Sequence, residues 1–237
     1  MKITNLLAFA GFMAVAATAS AQVAIPGLIN TGSTSSAGYV AGNQGNQGVN
    51  YKVTTTGTAM LTACPGGAGP GNCAFVTGDG SFPLNVWLSN ASSPASKWIT
   101  PTATQGASFD SVVNGIYTYT LSFNLAGFFP NTASFAGRFL TDNTGTVSLN
   151  GGAPLATSNS FTTWTPFSAN SGFVAGMNTV TFAVTNLAIT TANPTGLRVE
   201  FTSSQVTAVP EPSALLLSLA GLAMVGGLAK RRLSARA

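Results

Sequence analysis

Residues 117–126 read YTYTLSFNLA, and this stretch decides the fold. Tyr117, Tyr119, Leu121, Phe123 and Leu125 alternate with Thr118, Thr120, Ser122, Asn124 and Ala126, so an extended backbone gathers every large apolar side chain on one face. The same period of two recurs in Val49, Tyr51 and Val53, in Val180, Phe182 and Val184, and in Leu197, Val199 and Phe201. No amphipathic helix of useful length lies between the two ends of the chain. Asn114-Gly115 and Asn150-Gly151 are dipeptides that permit positive φ in tight hairpins, and Asp79-Gly80 is a further turn signal. Strands with one apolar and one polar face bury the first only against another sheet. The expected fold class is therefore all-β, an antiparallel β-sandwich over residues 48–206, about 160 residues and enough for a core.

Charge is sparse and unevenly placed. The chain has 237 residues, 6% of them charged, and a net charge of +4. Between Gln22 and Ala208 the cations Lys52, Lys97, Arg138 and Arg198 are balanced by Asp79, Asp110, Asp142 and Glu200, so the middle is neutral. Four scattered cations do not make the basic stripe that displaces phosphate counterions, which argues against nucleic-acid partners. There is no histidine, so Ser-His-Asp and Cys-His catalysis is excluded and zinc loses its commonest neutral ligand. The four carboxylates are the remaining candidates for acid–base work, as in a glycoside hydrolase. Each has an ordinary explanation: Asp79 and Asp142 adjoin turn residues, Asp110 follows an apolar pair, and Glu200 sits two residues from Arg198 as an exposed ion pair worth ~0–1 kcal/mol. The expectation is a non-enzyme with no catalytic residue, no cofactor and no metal.

Cys64 and Cys73 enclose PGGAGPGN, a segment unable to hold itself, and an even cysteine count favours a disulfide wherever a chain enters an oxidising compartment. Two thiols alone are too few for a metal site, and a catalytic cysteine would lack a base. Residues 22–47 are rich in Gly, Ser, Thr and Asn and read as a loose arm. Among aromatics, Trp98 stands between prolines beside Lys97 and is the first expectation for an exposed sugar-stacking ring, with Trp164 second. The competing reading makes both tryptophans core.

The two ends read as addresses. Residues 1–21 give one cation, an apolar run from Leu6 to Ala17 and Ala19-Ser20-Ala21, the layout of a signal peptide cut by signal peptidase between Ala21 and Gln22. The competing reading is a membrane anchor, for which the apolar run is short. Residues 207–237 contain VPEP at 209–212, an uncharged apolar run over 213–229 that reads as a transmembrane helix, and a basic tail over 230–237 opened by Lys230, Arg231 and Arg232. By the positive-inside rule that tail stays in the cytoplasm and everything upstream lies outside the inner membrane. A buried core helix is the competing reading, but every face of the run is apolar.

Pro210-Glu211-Pro212, the hydrophobic span and the Lys230-Arg231-Arg232 cluster together resemble the PEP-CTERM sorting signal of Gram-negative exopolysaccharide producers. The resemblance implies processing by exosortase near the motif, transient anchoring in the inner membrane, and delivery to the cell surface or a biofilm or floc matrix. A second resemblance lies in the central domain. Residues 133–151, 161–167, 173–186 and 194–201, with Asp142, Asn150, Gly151, Gly176 and Asn178 at their turns, are similar to galactose-binding-like jelly rolls. It implies that fold, without the acidic cluster from which some such domains build a calcium site. The expected function is an exported, non-enzymatic surface or matrix protein among exopolysaccharide. The alternative is a carbohydrate-binding module with a defined glycan ligand, and further off a glycoside hydrolase.

Overall fold

A computed structural model describes residues 21–33, 42–65, 71–210 and 220–225. The chain divides into two units, one comprising Gln22–Ala208 and the other the two ends. Of the ends, residues 220–225 are helical, and among the described residues no helix is long and apolar enough to cross a membrane. The signal-peptide residues before Ala21, Glu211, Pro212, most of the apolar run and Lys230, Arg231 and Arg232 lie outside the described residues.

The unit Gln22–Ala208 is all-β and antiparallel. Its strands in chain order are β1 (Gln22–Val23), β2 (Gln47–Thr55), β3 (Asn72–Val76), β4 (Ile99–Thr100), β5 (Gly115–Asn124) and β6 (Phe128–Asp142). They continue as β7 (Thr144–Leu149), β8 (Ala156–Ser158), β9 (Thr165–Ala169), β10 (Met177–Asn186) and β11 (Gly196–Ala208). Hydrogen bonding follows the order β8-β7-β10-β5-β2-β3-β4-β11-β6-β9, with β1 on β11. The alternation in YTYTLSFNLA becomes β5: Tyr117, Tyr119, Leu121 and Phe123 are buried, and across the ladder Tyr119 faces Phe182 and Leu121 faces Val180.

The two expected layers are present, but they are halves of one hydrogen-bonded sheet. The short strands β3 and β4 carry the ladder around a corner from β2 to β11, as brief twisted strands can. The core lies between the halves. Phe182 of β10 meets Phe139 of β6 at a ring separation of 5.7 Å and Phe167 of β9 at 5.8 Å. Such pairs contribute about 0.5–1.5 kcal/mol each beyond burial.

Asn150-Gly151 forms the expected tight turn: both residues have positive φ, and Gly152 N–H donates to the Leu149 carbonyl at 2.9 Å. Asn114-Gly115 does not. Gly115 belongs to β5, where a Cβ would collide with the Asp110 carboxylate, and Asn114 accepts a hydrogen bond from Ala188 N–H. Glycine is required there for close approach and not for a hairpin.

The loose arm expected over residues 22–47 is corrected for residues 22–33. β1 pairs with β11, Ile25 and Ile29 are buried, and Thr31 exchanges hydrogen bonds with Val199. Ile25, Leu28 and Ile29, the large apolar residues at the start of an otherwise small and polar arm, seat it on the core edge. Cys64 and Cys73 form the expected disulfide, with Cα atoms 4.8 Å apart, and the Lys52 ammonium lies 3.0 Å from Cys64 Sγ.

Candidate functional site

The two outer faces of the folded sheet differ. Where β6 finishes and β11 begins, the outward side chains Leu140, Arg198 and Glu200 are covered by the segment from Thr77 to Trp98, which builds a second small core from Leu84, Trp87, Trp98 and Leu140, while Ser203 and Gln205 farther along β11 stay exposed. Trp98 is 0% exposed, donates its indole N–H to the Leu88 carbonyl at 2.8 Å and lies 4.4 Å from the Trp87 ring. Its expected exposure is thereby corrected, because the covering segment turns it inward onto the sheet. Trp164 is half-buried against the same cluster, with the Arg138 guanidinium 4.5 Å and that of Arg198 5.2 Å from its ring.

Arg198 and Glu200, expected as an exposed pair, are buried beneath the same segment. Arg198 donates to Ser96 Oγ and to the carbonyls of Ser89, Asn90, Ser93 and Ser96, so it ties the cover to β11. Its distance to Glu200 is 4.0 Å, whereas Arg138 reaches Glu200 at 2.6 Å. Burial pushes the Glu200 carboxyl up, but hydrogen bonds from Ser93, Ser96 and Arg138 and the charge of Arg138 outweigh it and hold the group below its ordinary value.

The other carboxylates are likewise committed to the framework. Asp110 accepts from Thr58 N–H and Oγ1, Tyr117 Oη and Asn186 Nδ2. Asp79 accepts from Ser89 Oγ and Asn90 N–H at the short 3₁₀ turn Asn90–Ser92. Asp142 accepts the Trp87 indole N–H at 2.9 Å, and burial pushes its carboxyl up to about 6 against that hydrogen bond. Asn150 and Asn178 are brought together at 2.9 Å and brace the loops before β8 and β10 through Thr179, Gly172 and Val174. Among the described residues no three metal-ligating side chains converge.

The opposite outer face, on β2, β5, β10 and β7, is built differently. Lys52, Thr120, Thr181 and Ser148 stand opposite one another across the four strands. Thr54, Thr118, Ala183 and Thr146 form the adjacent row, which Thr157 of β8 extends. Ser122 and Thr179 begin a third. These positions alternate with the buried ones and are half-buried or exposed. Beside this face a groove of about 270 Å³ is lined by Gly27, Ile29, Asn50, Lys52, Thr120 and Ser122, among others. Lys52 is the charged side chain of the three rows, and burial lowers the pKa of its ammonium.

A solvent-facing sheet surface ordinarily mixes charges of both signs, which keeps it soluble and blocks edge pairing. Here hydroxyl groups replace them. The sequence shows Thr118, Thr120 and Ser122 as the polar half of a strand but assembles no site from them. The available signal was uncharged Thr and Ser at alternate positions of separate strands. It lacked the register that sets them side by side and the knowledge that one end of the other outer face is covered.

No family model matches the chain, and no curated protein matches it. Solved structures similar to it include the enzymatically active domain of bacteriophage CBA120 tailspike protein 4, at 13% identity and TM-score 0.32 over 64% of this chain. The chain spans 19% of that tailspike's length. A family 35 carbohydrate-binding module from an environmental isolate is 14% identical, with TM-score 0.28, over 66% of this chain and 99% of the module. A family 11 module from Clostridium thermocellum is 8% identical, with TM-score 0.29, over 68% of this chain and 89% of the module. Likenesses this slight carry no argument for fold or ligand.

Proposed function

We propose that this chain is an exported, non-enzymatic surface or matrix protein that binds carbohydrate through the hydroxyl-bearing face of β2, β5, β10 and β7. The observation that carries the reading is a Thr/Ser face with Lys52 as its charged side chain, over which no strand or core of the described residues is laid, set against an opposite face that the Thr77–Trp98 segment covers at one end. Sugars present hydroxyl groups in both donor and acceptor roles, and Thr and Ser hydroxyls answer both without the desolvation cost of burying a charge. The fold is read as a galactose-binding-like jelly roll, on the strength of the two facing half-sheets and the Asn150–Asn178 turn pair. The non-enzymatic reading is supported by Asp79, Asp110, Asp142 and Glu200, each spent on internal hydrogen bonds.

Delivery is assigned to the ends: a signal peptide cut before Gln22, and a PEP-CTERM tail handled by exosortase at Pro210-Glu211-Pro212. The support is the sequence order of motif, apolar run and basic cluster. For binding, the test is the full chain in mild detergent on an immobilised neutral-glycan panel. Retention on at least one glycan that falls at least ~10-fold in Thr120→Glu, about 1.4 kcal/mol, is the expected result. Retention unaffected by that substitution removes the face from the account.

A further inference from the structure

From the chemistry of this face we infer that its partner is an extended, insoluble layer of packed neutral polysaccharide chains, and not a free oligosaccharide. The inference rests on the carbohydrate reading above and narrows its ligand. The three rows hold Thr, Ser, Ala and Lys and carry no aromatic ring, so the stacking that lets a small site grip one sugar is missing. What remains is hydroxyl hydrogen bonding, in which each contact replaces one to water and nets only about 0.5–1.5 kcal/mol. A single dissolved chain crossing the face would meet one row and gain little over the cost of being held. A solid layer meets all rows at once, and its chains are already ordered.

The face is built to present a fixed array. Threonine is stiff at χ1, so its hydroxyl and methyl directions are set before binding. The ladders β5–β10, β7–β10 and β2–β5 run without a register shift, whereas β6–β11 in the other half-sheet shifts twice. Rows therefore repeat at about 4.8 Å across strands and about 6.7 Å along them, a two-dimensional pattern of donors, acceptors and methyl groups. Bulges would have twisted that pattern apart. With Lys52 as the charged side chain of the rows, the array lacks the clustered cations that hold a polyanion.

The test uses the full chain in mild detergent and two matched sets of probes. Microcrystalline cellulose, chitin and insoluble 1,3-glucans are compared by depletion from solution, and soluble hexasaccharides of the same linkages by calorimetry. Depletion by at least one solid, with binding of its hexasaccharide weaker than about 1 mM, is expected. That retention should change little between about 0.05 and about 1 M salt and should fall at least ~10-fold in Thr120→Glu. Tight, saturable binding of a soluble hexasaccharide, lost in Thr120→Glu, overturns this inference and leaves the carbohydrate reading standing. No retention on any solid and no binding of any hexasaccharide overturns both. Retention on solids that collapses in high salt, or that equals retention on an uncharged apolar resin, overturns the inference as well.

Discussion

Asp142 sits at the end of β6 with its carboxylate on the Trp87 indole N–H, and burial raises its pKa to about 6. An unfolded chain releases that proton near the ordinary carboxylate value, so between about pH 4 and pH 6 the folded state binds more protons than the unfolded state. Stability from this group therefore falls as pH rises through that window, by on the order of 2–3 kcal/mol, and levels off above it. Glu200, held below its ordinary value, has the opposite sign and loses its contribution only at lower pH. Asp142→Asn should flatten the decline in melting temperature between pH 4 and pH 6 while keeping an acceptor for Trp87; an unchanged profile would mean the carboxyl is not perturbed. At this scale the sequence was legible where chemistry is local. Asn150-Gly151 named its own turn, and the cysteines named their bridge. Asn114-Gly115 misled because its glycine answers to Asp110, a contact that dipeptide rules do not contain.

The element that changes the reading most is the segment from Thr77 to Trp98, laid over β6 and β11. It has no periodicity of its own, yet Leu84, Trp87 and Trp98 close a second core against Leu140, and Arg198 stitches the segment to β11 through backbone carbonyls. Trp98→Ala should consequently cost about 3–5 kcal/mol in denaturant unfolding, the range for emptying a filled aromatic site. A ring that instead served an exposed ligand site would leave stability within about 0.5 kcal/mol of the parent. β5, β10 and β11 were readable from alternation because each has one apolar face. The cover was not, since Arg198 and Glu200 look like solvent-facing charges until another segment's carbonyls and hydroxyls are placed over them. The same blindness hid the Thr face: each strand displayed its polar half, and only register joined the halves.

For the whole molecule, the proposed delivery by the two ends is tested apart from binding. Replacing Pro210, Glu211 and Pro212 with alanine should leave an unprocessed form in the inner membrane, detected by mass and by fractionation. Equal mass and surface display of parent and variant would dismiss exosortase handling. Alternation already carried the all-β class, and composition the scarcity of charge. It did not carry the inequality of the two outer faces, which follows from which loops are long enough to fold back. That inequality is the centre of the functional account, and one comparison addresses it directly. Thr120→Glu places a charge in the middle of the hydroxyl array, and Ser168→Glu places the same charge at an exposed position of β9 in the other half-sheet. Measured as depletion of the full chain by whichever neutral polysaccharide retains the parent, the first substitution should lower retention at least ~10-fold and the second should leave it within about twofold. Equal loss in both variants, or loss only in Ser168→Glu, would contradict the assignment of binding to the β2–β5–β10–β7 face.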